Sequence, residues 1–199
     1  MSPDEYIAYN IDYINREDPD WDAFYDQIQI MSRKDVTERL WACEVFPEVE
    51  GLSYIPEFFA CEASGRNHLA ISSRVKFIGS HAFEAFKSLQ TIQIPYSVRT
   101  IRISAFQNCR ALSSIAPLGV VHIDAWAFAG CSDLREVRLG SGLGRIGAHA
   151  FNSCRSLSRI IYSGRIKDWQ LVKLAEKWRP FEQELTIRCV DGEVYYRAH

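Results

Sequence analysis

The chain has 199 residues, 47% of them hydrophobic and 24% charged, enough apolar material to bury a sizeable core. Its formal net charge of −2 excludes a global electrostatic pull toward nucleic acid or a membrane surface, and no apolar run approaches the ~20 residues that a spanning helix needs. The charge is uneven, however. Residues 1–50 hold 13 acidic and 4 basic side chains, whereas residues 51–199 hold 12 and 19, so the two parts are electrostatically complementary.

The first 50 residues read as an acidic helical N-terminal cap. Ser2-Pro3-Asp4-Glu5 supplies an N-cap, a first-turn proline and a capping-box glutamate, and Tyr6, Ile7, Asn10, Tyr13 and Ile14 then trace one helical face. Asp20 and Ser32 are candidate caps of two further helices, the last ended by Pro47. Such a block would cover the open strand edges of whatever follows. The acidic run Glu17, Asp18, Asp20, Asp22 and Asp26 has three readings: a solvated face, a surface docked on the basic remainder of the chain, or a surface that binds a partner or mimics nucleic acid. The opening MSPDEYIAYN has neither a basic nor an apolar signal region, so the expected location is cytoplasmic, with the six cysteines reduced.

From residue 51 to 162 one pattern repeats. Ile78, Ile101, Ile123 and Ile146 stand 23, 22 and 23 residues apart, and Phe83, Phe106, Phe128 and Phe151 keep the same register, each preceded by alanine. Phe86, Cys109, Cys131 and Cys154 form a third column, Leu89, Leu112, Leu134 and Leu157 a fourth, and Ile92, Ile115, Val137 and Ile160 a fifth. A period in the low twenties means a solenoid. The register extends upstream through Ile55, Leu69 and Ile71, which gives a degenerate first unit and about five units in all. The Leu-x-x-Ile-x-Ile piece (Leu89 to Ile94) alternates like a strand and is stopped by Pro95, while the Val-x-x-Ile-Gly piece (Val75 to Gly79) reads as a second short strand. The Ala-Phe-x-x-Cys-x-x-Leu stretch has helical spacing but is too short to stand alone. Only stacking buries these faces, so the expected fold class is an α/β repeat solenoid.

These columns resemble the BspA-like subclass of leucine-rich repeats. The best copies are Ile78–Val98 (IGSHAFEAFKSLQTIQIPYSV) and Ile146–Ile160 (IGAHAFNSCRSLSRI). Departures are Arg102 and Asp124 in place of the glycine after isoleucine, Pro117 in place of an apolar strand residue, and a third loop, Gly140–Gly144, with three glycines and no proline. The tail, with Trp169, Trp178 and Cys189 in an I-Y-S-G…W…T-I-R-C-V-D-G frame, looks like the C-terminal cap that follows such repeats. The resemblance implies a leucine-rich-repeat-like stack with the roles of adhesin, receptor or intracellular binder, and it names no ligand.

Residues 163–199 form the expected C-terminal cap, a helix plus a β-hairpin. Lys167–Trp178 reads as an amphipathic helix presenting Trp169, Val172, Ala175 and Trp178. Leu185–Val190 and Glu193–Arg197 flank Asp191-Gly192, a type I′ hairpin signal.

Chemistry is sparse. The cysteine column places thiols one rung apart, but Phe86 fills the same slot, so the site wants apolar bulk, and no C-x-x-C pair offers a metal site. His81 and His149 sit two rungs apart as turn residues. No G-x-S-x-G elbow is present, and the Gly140–Gly144 loop lacks a following Lys-Ser/Thr for phosphate. No catalytic, cofactor-binding or metal-binding residue is expected, and the chain is not expected to be an enzyme. What remains is surface. Strand alternation turns outward a column of His68, Thr91, Ser114, Glu136 and Arg159 and its neighbour Ala70, Gln93, Ala116, Arg138 and Ile161; the second strand ladder turns out Lys76 and Arg99, then Phe77, Thr100, His122 and Arg145. The candidate partner-binding residues are His68, Thr91, Gln93, Glu136, Arg138 and Arg159 on the first ladder and Arg99, His122 and Arg145 on the second, because arginine and aromatic groups concentrate binding energy. The expected function is non-catalytic recognition of a protein partner across the strand-ladder face. The alternatives are an inhibitor or binder of nucleic-acid machinery and a cell-surface adhesion module; no membrane partner is expected.

Overall fold

A computed structural model describes residues 54–55, 67–71, 73, 75–180 and 182–198. The expected N-terminal helices, the acidic run and Arg74 lie outside the described residues.

The two short extended pieces of each unit build two ladders. The Val-x-x-Ile pieces give β1 (Tyr54–Ile55), β3 (Phe77–Ile78), β5 (Thr100–Ile101), β7 (His122–Ile123) and β9 (Arg145–Ile146), and β11 (Lys173–Leu174) completes a parallel six-stranded sheet in the order β1-β3-β5-β7-β9-β11. The Leu-x-x-Ile-x-Ile pieces give the pair β2 (His68–Ala70) and β4 (Thr91–Gln93), then β6 (Ser114–Ile115), β8 (Glu136–Leu139) and β10 (Arg159–Tyr162). With β12 (Leu185–Cys189) and β13 (Gly192–Tyr196) the last three form a five-stranded sheet, antiparallel only at β12–β13. β6 is two residues long because the chain turns at Ala116, whose carbonyl accepts Leu118 N–H at 2.9 Å, and Pro117 has no N–H to continue a ladder.

Register aligns the repeat columns. Ile78, Ile101, Ile123 and Ile146 pair in turn and are buried, as are Ile115, Val137 and Ile160 on the other ladder. Between the ladders Phe83, Phe106, Phe128 and Phe151 stack nearly parallel, with ring centroids 5.0, 5.3 and 5.3 Å apart. That spacing follows from the ~4.8 Å strand separation. Burying each ring is worth about 1.5–3 kcal/mol, and each ring–ring contact adds about 0.5–1.5 kcal/mol.

The stretch with helical spacing is not a helix. Some of its N–H groups close turns three residues back, as Phe86 to Phe83 O (3.2 Å), and others reach the next rung: Phe83 to Ala105 O (2.7 Å), Phe106 to Ala127 O (2.7 Å) and Phe128 to Ala150 O (2.8 Å). The chain manages this by placing His81, Ser104, Trp126 and His149 at φ 55–60°, and Ala85, Asn108, Gly130 and Ser153 at φ 56–74°. Each non-glycine residue in this left-handed region costs about 1–2 kcal/mol, a cost offset by satisfying buried backbone groups across rungs.

The C-terminal cap departs from expectation in two ways. The helix, α1, covers only Ile166–Trp169. Lys173 N–H then donates to Gly144 O (2.9 Å) and Ala175 N–H to Ile146 O (3.0 Å), so the chain becomes β11 and closes the open edge of β9. Leu174 takes the isoleucine position, Lys177 repeats the left-handed turn at φ 53°, and Phe151 N–H donates to Trp178 O. Ile187 likewise extends the other ladder opposite Ile160. The cap therefore adds backbone to both ladders beyond Ile160. Trp169 and Trp178 are buried in it, as expected, meeting edge to face at 6.0 Å. The hairpin turn is shifted by one residue. Cys189 pairs with Gly192, so Val190 and Asp191 form the loop, and neither has the positive φ that type I′ demands. The loop is tied instead to the start of α1, where Asp191 Oδ1 accepts Ile166 N–H at 2.8 Å.

Candidate functional site

The first ladder turns its alternate residues outward as the strand period requires. His68 pairs with Thr91 and Ala70 with Gln93; Glu136 pairs with Arg159 and Arg138 with Ile161. His68 Nδ1 lies 2.8 Å from Thr91 Oγ1. Glu136 stands between two arginines, accepting from Arg138 Nε at 2.8 Å and from Arg159 Nη2 at 2.7 Å. The Arg138 hydrogen bond is the largest influence on the Glu136 carboxyl; burial opposes it, and the charge of Arg159 adds to it, so that the carboxyl is held below its usual range. The guanidinium groups themselves stay more than half exposed. The result is a fixed pair of cations with one carboxylate between them. β12 lengthens this face with Thr186 and Arg188, opposite Arg159 and Ile161.

The second ladder carries Arg99, His122 and Arg145. Arg99 donates to Gly119 O at 3.1 Å and lies 5.5 Å from the centre of the exposed Tyr96 ring. Arg145 Nη2 binds Asp124 Oδ1 at 2.7 Å. His122 is half-buried, and burial first, then the Arg145 charge, lower its pKa. Thr100, in the same column between Phe77 and His122, is buried at 7% exposure although its neighbour Ile101 takes the inward side of the strand. The nine candidate residues thus lie on three sheets: His68, Thr91 and Gln93 on the two-stranded one, Glu136, Arg138 and Arg159 on the five-stranded one, and His122 and Arg145, with Arg99 just before β5, on the six-stranded one.

The cysteine column is more than bulk. Cys109, Cys131 and Cys154 are fully buried and unbridged, and each thiol approaches the carbonyl of a phenylalanine in the preceding rung, Phe83, Phe106 and Phe128, at 3.0–3.1 Å. Phe86 fills the slot without such a bond. His81 contacts Glu84 at 2.7 Å, while His149 stacks on Trp126 with ring centroids 4.2 Å apart.

Two features escaped the sequence reading. A groove of about 480 Å³ is lined by Ile103, Asp124, Ala125, Arg145, Ile146, Gly147, Lys173, Leu174 and Ala175, residues of the six-stranded sheet and the turns that leave it. Trp126, one residue beyond Ala125, is also partly exposed. The five- to six-residue excess of the Ile146-to-Leu174 step over the repeat period hid the first; Trp126 in a turn column shared with His81, Ser104 and His149 was the available signal for the second.

Six copies of the BspA type leucine rich repeat region match residues 55–171. The chain is a BspA-type leucine-rich repeat protein. Repeats of this type are typically protein-binding or surface-adhesion modules and non-catalytic scaffolds. The fold is similar to that of a leucine rich cell surface protein from Faecalibacterium prausnitzii, with 28% identity and a TM-score of 0.59 over 66% of this chain, which spans 35% of that protein. It is also similar to the leucine rich repeat protein of T. pallidum, with 26% identity, a TM-score of 0.56, and coverage of 68% of this chain and 69% of that one. The pneumococcal vaccine antigen PcpA shares the fold at 16% identity and a TM-score of 0.56, over 69% of this chain and 41% of its own. No curated protein matches the chain. Against the BspA-type pattern, Asp124 in the glycine column matters most, since that departure supplies the carboxylate that holds Arg145. No helix among the described residues is long and apolar enough to cross a membrane.

Proposed function

We propose that this BspA-type protein is a non-catalytic recognition module that binds a protein partner on the ladder bearing His68, Thr91, Gln93, Glu136, Arg138 and Arg159, with Arg99, His122 and Arg145 as a separate cationic group on the other sheet. One observation carries the reading: Glu136 fixes Arg138 and Arg159 side by side on a rigid ladder while leaving both guanidinium groups exposed. Arginines held in place before binding lose less side-chain entropy on contact, so more of their interaction energy appears as affinity. The repeats at 51–162 supply the face and residues 163–199 lengthen it. A continuous phosphate-tracking stripe draws no support from a column that Glu136 interrupts.

The test is affinity capture from host lysate with the parent and with Arg138→Glu and Arg159→Glu, each checked for an unchanged melting temperature. The reading expects both variants to lose the parent's partners; retention by both would remove the ladder from consideration. The likeness to a cell surface protein favours a second version, in which the same face acts outside the cell as an adhesion module rather than in the cytoplasm. Biotinylation of intact host cells separates the two: labelling supports the surface version and its absence the cytoplasmic one.

A further inference from the structure

We infer that the groove at the β11 end of the six-stranded sheet is a separate docking site for an extended peptide segment carrying an apolar anchor and carboxylates. The inference rests on the reading of the chain as a recognition module and assigns it a second face and the chemistry of a ligand.

The groove has an apolar end and a cationic end. Ile103, 43% exposed, is a large aliphatic side chain left open at one end. Arg145 and exposed Lys173 stand toward the other. Arg145 spends one nitrogen on Asp124, whereas Lys173 has no ion pair among the described residues. Two cations against one carboxylate leave the rim positive, which selects for acidic ligands. Between the two ends the floor is low because the rungs carry Ala125 and Gly147 there; a Cβ on Gly147 would lie 2.5 Å from Ala125 N.

Strand spacing sets the ligand's spacing. Ile103 leaves β5, and Arg145 and Lys173 lie on β9 and β11, two and three strands away. At ~4.8 Å per strand these are about 10 and 14 Å across the sheet, and Ile103 stands three residues beyond Thr100, the register mate of Arg145; that offset lengthens the spans to at most about 14 and 17 Å, or about three to five residues of extended chain at ~3.3 Å each. The groove therefore fits a segment with an apolar residue and carboxylates three to five positions from it, lying obliquely across the strands.

The test uses the full chain against an array of synthetic peptides, each holding one leucine or phenylalanine, with aspartate placed one to six positions away. Binding is expected to peak within three to five positions, to fall at least tenfold with Lys173→Glu and with Ile103→Asp, and to survive Arg138→Glu. No binding above scrambled controls, or binding unchanged by Lys173→Glu, would overturn the inference while leaving the Arg138 and Arg159 ladder untouched. So would a dimer in light scattering that Ile103→Asp dissociates, which gives the groove to a second copy. Zero-length crosslinks from Lys173 to residues 1–50 of the free protein would give it to the chain's own acidic segment and overturn it equally. Unchanged melting temperatures in both variants exclude misfolding as the cause of lost binding.

Discussion

Each core thiol has two roles at once, filling volume beside the phenylalanine stack and contacting a carbonyl of the previous rung. Burial pushes the Cys109 thiol well up and that of Cys154 up to about 12. Since the thiolate is the reactive form, both residues should resist alkylation at about pH 8 in the folded protein and react once it is unfolded. Peptide mass spectrometry reads this directly, and equal labelling in both states would contradict the burial. Glu136 gives a pH dependence with a definite sign. Its folded carboxyl binds a proton less readily than the unfolded one, so its stabilisation is complete above the ordinary carboxylate pKa of about 4.3 and is lost as pH falls through the lowered value. His122, also lowered, loses its contribution as pH falls below about 6.5. Glu136→Gln should therefore flatten the acid limb of a melting-temperature profile below about pH 4.3 and leave the His122 region unchanged. The outward columns were legible at this scale because strand alternation is strict. Thr100 keeps its place in the column of Phe77 and His122 yet is buried, which alternation alone does not register.

At the scale of the element, the rung is held by its neighbours rather than by itself. Phe128 stacks on Phe106 and Phe151 at 5.3 Å on either side. Phe128→Ala should cost about 3–5 kcal/mol, combining lost burial with a cavity. Because each rung touches only adjacent rungs, the loss should uncouple the two halves of the stack, and urea unfolding should become broader with a smaller m value. A single transition of unchanged slope and midpoint would contradict the ladder's role. The five apolar columns were legible because each is repeated four times at nearly constant period. The conformation between them was not. Ala150 to Leu157 has helical spacing, but several of its N–H groups close only three-residue turns, and Phe151 N–H goes to Trp178 O of the next rung; a one-dimensional pattern carries no information about a partner 27 residues away. Lys167–Trp178 misled in the same way: Trp169, Val172 and Trp178 are buried, but the open edge of β9 draws Lys173 and Leu174 into a strand.

At the scale of the molecule, the protein is a stack of about five turns whose C-terminal cap supplies a strand to each ladder, β11 to one and β12 to the other. The cap therefore does more than end the repeats. It completes the groove through Lys173 and lengthens the arginine ladder through Arg188. Solenoid, family and ladder faces could all be read from the 22–23-residue period. The groove could not, since β11 stands 28 residues beyond its partner at Ile146. The central claim is that exposed arginines fixed by Glu136 bind a protein. It is tested most directly by titrating the captured partner into the parent and into the Arg138→Glu, Arg159→Glu double variant by calorimetry. The account predicts an affinity loss of at least about tenfold, equivalent to ~1.4 kcal/mol, with the fold intact. Equal affinities for the two proteins would contradict it.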